Sequence, residues 1–178
     1  MKTALVILAG AVAVTTHTAL TLSSTTFPNN GKIPAAQAYD QGGCGGQNVS
    51  PALAWSGVPS GTKSLALIMF DPDARKGQGW THWVAYGIDP ARGSLSEGGG
   101  SGTASGIVQG KTGFPTPGYG GPCPPVGDPP HHYVFTLYAL DLAPGALQAG
   151  LDRDGLLNAT KSHSIGTATY TGLYQRTK

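Results

Sequence analysis

Polar side chains that can bind a ligand or carry a proton lie at the ends of three apolar segments. Asp71 and Asp73 follow the segment SLALIMF, His82 lies within WTHWV, and His131 and Tyr133 open HHYVFTLYAL. Ionisable groups at the ends of buried strands are candidates for the rim of a shared pocket. Because side chains alternate along an extended strand, the two aspartates are expected on one side, and so are His131 and Tyr133.

Three kinds of chemistry fit these residue types. Imidazole, phenol and backbone N–H groups can donate hydrogen bonds to a phosphate, while a nearby carboxylate orients or charges a histidine. Asp71, His82 and His131 are also of the types that bind zinc, but the chain has no HExxH motif and no Cys/His spacing, so we expect no metal. Hydrolysis would need a nucleophile beside a histidine, and no GxSxG motif occurs.

Each of these residues also has an ordinary structural interpretation. A lone strand histidine is more often part of a satisfied core than a ligand contact. Asp-Pro-Asp often ends a strand and turns the chain through hydrogen bonds from the aspartate side chain. Trp80 and Trp83 belong more often to a core than to a binding surface.

The composition excludes several classes of protein. The chain has 178 residues, enough for one ordinary domain. Gly 28 and Pro 14, with a hydrophobic fraction of 39%, predict a loop-rich globular fold. Lys and Arg total 11 without a basic run, so no nucleic acid is expected as a partner. No apolar stretch reaches the roughly 18 residues of a membrane-spanning helix.

The start of the chain has the pattern of a secretory signal. Lys2 precedes an apolar run over residues 4–14. We therefore expect residues 1–19 to be a signal peptide, residues 20–178 to form a single domain, and the protein to be periplasmic or secreted. A buried first strand or an uncleaved anchor is the alternative.

Cys44 and Cys123 are the only cysteines and do not form a CxxC motif, which argues against zinc or thioredoxin chemistry. In an oxidising compartment they can form a disulfide. Closing a loop of ~80 residues would stabilise the fold by about 4–5 kcal/mol. The alternative is a pair of small buried thiols.

The elements that must position the polar residues are mostly strands. Residues 64–70 are apolar on both faces, as in the central strand of a sandwich. Further strands are predicted at residues 20–24, 50–55, 80–88, 133–140 and 167–175. Residues 94–113 and 118–130 are predicted loops, and residues 151–163 have helical spacing. This order predicts an all-β sandwich with a peripheral helix.

Several of these segments resemble the phosphatidylethanolamine-binding protein family, and most closely its bacterial exported branch. The segments that carry the resemblance are NVSPALAWSG at residues 48–57, DPDA at 71–74, WTHW at 80–83, VQG at 108–110, GGPCPP at 120–125 and HHY at 131–133. The similarity runs from about residue 20 to residue 176. Several motifs in the right order are more specific than any one of them alone.

The resemblance implies a two-sheet antiparallel Greek-key sandwich with one or two short peripheral helices. It also implies a small pocket at one end that binds phosphate-like groups, including phospholipid head groups. Carried over by motif, the ligand-binding residues are Asp71, His82, Pro124, His131 and Tyr133, supported by Asp73, Trp80 and Cys123. In this scheme Asp71 orients His82 or contacts the ligand. Bacterial relatives also suggest a homodimer.

The chain departs from the family pattern near this pocket. Arg75 stands where the family usually has proline, so its φ is not locked and an extra cation lies near the rim. His132 replaces the usual arginine and, facing away from the pocket, is expected to alter packing more than binding. The C-terminal helix of the eukaryotic proteins has no counterpart after the last strand, so we expect a more open pocket.

These observations favour an exported, non-enzymatic protein that binds a small phosphate-bearing or other anionic ligand without a cofactor. A protein-interaction module, such as a protease inhibitor or a host-directed effector, is the alternative. Its protein partner would contact the loops at residues 94–113 and 118–130. A hydrolase or metalloenzyme that uses Asp71 and the two pocket histidines is the third hypothesis.

Overall fold

A computed structural model describes residues 19–100 and 106–177 of the chain. The predicted signal peptide lies outside this range except for its last residue. Within these two ranges, no helix is both long enough and apolar enough to cross a membrane.

The described residues form short strands and few helices, as the sequence predicts. In chain order the strands and helices are β1 (Thr21–Ser23), β2 (Gly31–Lys32), β3 (Leu53–Ser56), β4 (Ser64–Asp71), α1 (Ala74–Gly77), β5 (Trp80–Ile88), β6 (Ser94–Leu95), β7 (Val108–Gln109), β8 (His131–Leu140), α2 (Arg153–Thr160) and β9 (Ser164–Tyr174). Short 3-10 turns cover Ala35–Gln37 and Pro90–Arg92.

The strands form two sheets. The larger has the order β2-β9-β8-β4-β5-β7, and the smaller has the order β1-β3-β6. The pairs are antiparallel except that β2 runs parallel to β9, which differs from the fully antiparallel expectation. The main core contains Leu22 and Trp55 from the smaller sheet together with Leu67, Trp83 and Phe135 from the larger one.

Strand β4 is apolar on both faces because both are covered. Leu65 and Leu67 belong to the core that also contains the smaller sheet. Ala66 and Ile68, on the opposite face, pack in a second cluster that includes Leu156 of α2. The prediction of a central strand at residues 64–70 is therefore confirmed, and α2 explains why the outer face is not polar.

Several predicted boundaries shift in the structure, among them the following three. The helix predicted at 151–163 occupies Arg153–Thr160, because the Asp152 side chain accepts a hydrogen bond from the Gly155 N–H (2.8 Å) and caps its start. The predicted loop at 94–113 contains the short strands β6 and β7. Strand β8 begins at His131 rather than Tyr133, which places the pocket histidine within the strand register.

A disulfide joins Cys44 to Cys123, with 5.4 Å between their Cα atoms, so the alternative of two free thiols is wrong. Arg176 holds the two loops that carry these cysteines. Its Nε donates to the Pro124 carbonyl (2.6 Å) and its Nη1 donates to the Gly43 carbonyl (3.0 Å).

Candidate functional site

A cavity of about 580 Å³ opens at one end of the larger sheet, where β4 ends and β5 and β8 begin. The register that pairs Phe70 with Val134 brings the start of β8 beside the end of β4. Asp71 in turn pairs with Trp80 at the start of β5. The cavity walls include all the residues predicted for the site: Asp71, Asp73, Trp80, His82, Cys123, Pro124, His131 and Tyr133.

Asp71 uses both of its carboxylate oxygens inside the protein. Oδ2 accepts a hydrogen bond from Nδ1 of His131 (2.8 Å), and both side chains are buried. Oδ1 accepts from the backbone N–H groups of Asp73 (2.9 Å) and Ala74 (3.1 Å). Asp71 therefore has both roles: it stabilises the turn after β4 through Oδ1, and it belongs to the site through Oδ2.

The residue that Asp71 orients is His131. The expectation that it would orient His82 is wrong, because the nearest oxygen to the His82 ring belongs to the backbone. Nδ1 of His82 lies 2.7 Å from the Gly120 carbonyl oxygen and donates to it. A side chain at Gly120 would overlap the Phe114 ring, so glycine allows Phe114 to pack against this loop.

His82 is a buried, neutral histidine. Burial lowers its pKa to about 4, an effect that the carbonyls of Gly120 and Gly121 and the negative charge of Asp71 only partly oppose. With Nδ1–H bonded to the carbonyl, Nε2 carries the lone pair. This Nε2 has no hydrogen-bond partner among the residues that the structure describes.

Tyr133 brings a buried hydroxyl to the same cavity. The side chain is fully buried, and its hydroxyl makes no hydrogen bond with any described residue. Burial, reinforced by the charge of Asp71 and by the closeness of its carboxylate to the hydroxyl, raises the pKa of this phenol above its ordinary value, so the hydroxyl keeps its proton. The rings of His82 and Tyr133 are perpendicular, with centroids 5.1 Å apart.

Aromatic rings from loops complete the wall, and the sequence analysis did not single them out. Phe114 contacts Tyr39 (4.5 Å between centroids), Trp80 (5.8 Å) and His82 (5.4 Å). A side chain at Gly113 would overlap the Trp80 ring. The glycine at position 113 is therefore the local sequence signal for this packing, because it lets the chain lie against Trp80 just before Phe114.

Charged side chains surround the mouth of the cavity. The Arg75 guanidinium stacks 3.8 Å above the centroid of the Trp80 ring, as a cation–π contact. Arg75 and Lys76 both have left-handed backbones, with φ of 51° and 59°. The Asp128 carboxylate, which the sequence analysis missed, lies 3.5 Å from Nε2 of His131.

Asp73 lies at the edge of the cavity, but its carboxylate is engaged with His132. Oδ2 accepts from the backbone N–H (2.7 Å) and from Nδ1 (2.9 Å) of His132. His132 is exposed and faces away from the pocket, as predicted. Asp73 does not share the orientation of Asp71, because the extended strand ends at Asp71 and the chain turns there.

Pro124 and the disulfide cysteines also line the cavity. Across residues 19–100 and 106–177, no three His, Cys, Asp or Glu side chains are grouped so that they could hold a metal ion.

Comparison with known proteins identifies the family. The sequence profile described as "Phosphatidylethanolamine-binding protein" matches residues 23–175. A UPF0098 protein of Methanothermobacter thermautotrophicus is 42% identical over 159 residues, covering 88% of this chain and 99% of that protein. The UPF0098 protein YbcL of Escherichia coli is 38% identical over 164 residues, covering 88% of each chain.

Solved structures agree with the sequence comparisons. The crystal structure of Escherichia coli YbcL, described as a new member of the mammalian PEBP family, superimposes with a TM-score of 0.82 at 34% identity, covering 89% of this chain and 99% of that one. A phosphatidylethanolamine-binding protein from Plasmodium vivax shares the fold at 17% identity, with a TM-score of 0.57 and coverage of 88% and 85%. The chain therefore belongs to the phosphatidylethanolamine-binding protein family.

Proposed function

We propose that the protein binds a small phosphate-bearing anion in this cavity and does not transform it. The observation that carries the proposal is the Tyr133 hydroxyl, a buried donor on a cavity-lining side chain that has no hydrogen-bond partner among the described residues. A buried donor left without a partner costs about 1–3 kcal/mol. An oxygen of a bound anion would remove that cost.

Further groups support an anion at this place. The Asp71 carboxylate holds His131 by Nδ1, so Nε2 of that ring is directed away from Asp71, and the exposed Asp128 carboxylate, 3.5 Å from Nε2, is the group that an anion would displace. Arg75 and Lys76 place two cations among the residues that line the cavity. Membership in a family whose description names a phospholipid supports a phosphate group as the anion.

Tyr133→Phe tests the proposal directly. Histidine NMR signals are followed during titration with inorganic phosphate and with O-phosphoethanolamine. We expect two histidine resonances to shift together and saturate in the wild type. The variant should bind about 10- to 100-fold more weakly, because a hydrogen bond to a charged partner contributes about 1.5–3 kcal/mol.

Tyr138→Phe is the matched control, since Tyr138 lies on the same strand and packs in the cluster on its other face. Equal affinities for wild type and Tyr133→Phe, or no shift at millimolar ligand, would contradict an anion site. Release of inorganic phosphate from O-phosphoethanolamine, if His131→Ala abolished it, would contradict a role without catalysis.

We also propose that the protein is exported. The apolar run at residues 4–14 after Lys2 supports this, and so does the Cys44–Cys123 disulfide, because such bonds persist mainly in oxidising compartments. Cell fractionation and the mass of the purified protein test the proposal. Recovery of a full-length, reduced protein in the cytoplasm would contradict it.

A further inference from the structure

The inner end of the cavity presents one hydrogen-bond donor and one acceptor side by side. The donor is the hydroxyl of Tyr133, and the acceptor is Nε2 of His82. The ring centroids are 5.1 Å apart with the ring planes nearly perpendicular, and both residues line the cavity. Asp71 lines the same end but already accepts three hydrogen bonds from the protein.

The surroundings of His82 keep its ring neutral, with the single proton on Nδ1. Donation from Nε2 would require either a shift of the proton away from the Gly120 carbonyl, which would leave that buried oxygen without its donor, or a second proton on the ring. The titratable groups around the ring are Asp71 from β4 and His131 and Tyr133 from β8. Burial outweighs the attraction of Asp71, and the ring stays neutral near pH 7.

An acceptor at this place discriminates among anions. A sulfate or a phosphodiester has only acceptor oxygens, and one of them placed against the Nε2 lone pair gains no hydrogen bond. A phosphate monoester with one proton has both kinds of group, since its P–OH donates and its other oxygens accept.

We propose, on the basis of the function proposed above, that the pocket selects phosphate groups that still carry a proton. The P–OH of a monoester or of inorganic phosphate donates to Nε2 of His82, while another oxygen accepts from the Tyr133 hydroxyl. Phosphodiesters, including intact phospholipid head groups, and sulfates bind poorly because they lack the O–H.

Calorimetric titration at pH 6 with inorganic phosphate and with sulfate gives the first test. Sulfate needs a protonated His82, which is about one molecule in a hundred at that pH for a pKa of about 4. We therefore expect sulfate to bind about a hundredfold more weakly than phosphate. For a monoester whose second pKa is about 6, affinity should fall about tenfold per pH unit above that value.

Two head-group compounds separate the possible donors on the ligand. Phosphocholine has a P–OH but no N–H, whereas glycerophosphoethanolamine has N–H groups but no P–OH. We expect phosphocholine to bind and glycerophosphoethanolamine to bind at least tenfold more weakly. The reverse order would show that another donor of the ligand, its ammonium group or a glycerol hydroxyl, donates to His82, and it would overturn the inference.

His82→Ala tests the same atom from the protein side. The variant lacks the Nε2 acceptor, so it should lose most of the discrimination between phosphate and sulfate. The ¹⁵N chemical shifts of His82 in the free wild-type protein give a measurement that does not depend on the variant. A proton found on Nε2, with none on Nδ1, would overturn the inference.

The outcomes also separate this inference from the proposed function. If phosphate and sulfate bind equally and without pH dependence, the pocket is an anion site that does not select a protonated ligand. If neither binds at millimolar concentration, both proposals are wrong.

Discussion

Two aspartate–histidine pairs lie next to each other where the chain leaves β4 and enters β8. Asp71 and His131 are 2.8 Å apart, with side chains only 3% and 9% exposed. Asp73 and His132 are 2.9 Å apart, with side chains 42% and 54% exposed. The bond lengths are almost equal, and the environments are opposite.

The difference follows from strand geometry and decides the energetic weight of each pair. Successive residues of β8 face opposite sides, so His131 enters the protein and His132 meets water. Water can replace either partner of an exposed pair, which is therefore worth about 0–1 kcal/mol. No water replaces a buried partner, and removing one side costs about 3–5 kcal/mol. The distance between the two side chains therefore does not show how much each pair contributes to stability.

The largest expected effect comes from breaking the buried pair. Asp71→Ala should lower the free energy of unfolding by about 3–5 kcal/mol, because His131 loses its buried partner. The turn N–H groups of Asp73 and Ala74 lose their acceptor as well. Urea denaturation at pH 7 measures the loss.

Asp71→Asn is the control for this prediction, since it keeps an oxygen for the turn while the charge and the acceptor that faces His131 are lost. It should retain part of the stability that Asp71→Ala loses. If Asp71→Ala lowered the free energy of unfolding by less than about 1 kcal/mol, the buried pair would contribute no more than an exposed pair does.

The second prediction concerns His82, whose buried partner is a carbonyl instead of a carboxylate. Its pKa is lowered from 6.5 to about 4 in the folded protein, so between these values the unfolded chain binds a proton that the folded protein does not. Stability should therefore fall by about 3 kcal/mol as the pH drops from 6.5 to 4 and receive no further contribution below that range.

The pH dependence is measured by comparing wild type with His82→Gln, which cannot titrate. The difference between their unfolding free energies should change across the pH window from 6.5 to 4. Parallel curves for the two proteins would show that His82 is not buried in its neutral form.

The smallest expected effect comes from the exposed pair. Asp73→Ala should cost at most about 1 kcal/mol at pH 7. Partial burial alone would raise the pKa of Asp73, but the hydrogen bonds from the backbone and ring of His132 lower it below 3.8. The contribution is therefore present above about pH 4 and disappears as the pH falls through the lower folded value.

Urea denaturation at pH 7 and pH 2.5, with and without added salt, measures this contribution. The wild type and the variant should converge at the lower pH and at high ionic strength. If Asp73→Ala lowered the free energy of unfolding by more than about 2 kcal/mol at pH 7, exposure would not weaken the Asp73–His132 pair.

Sequence patterns predicted the strands and the residues that meet at the pocket. The strand predicted at residues 80–88 coincides with β5, because its aromatic and β-branched residues are buried along most of its length. All the site residues that the motifs predicted line one cavity in the structure. The strands follow from periodicity in the chain, whereas the full set of site residues follows from the resemblance of its motifs to a known family.

The parts that could not be predicted depend on contacts between distant loops. Asp71 was expected to orient His82 or to contact the ligand, but the turn after β4 takes Oδ1 and leaves Oδ2 directed at His131. Tyr39, Phe114 and Asp128 reach the cavity from irregular segments. No repeat of two or 3.6 residues governs such segments, so their positions follow only from the assembled structure.

The strand order also determines when the site can exist during synthesis. β4 and β5 are adjacent in the chain and can pair as soon as both have been made, but His131 is 60 residues beyond Asp71. At about 5–20 residues per second, the ribosome leaves the aspartate without its histidine for several seconds. A nascent chain can therefore hold a β4–β5 hairpin while it has no pocket, and ligand cannot assist folding until β8 has been translated.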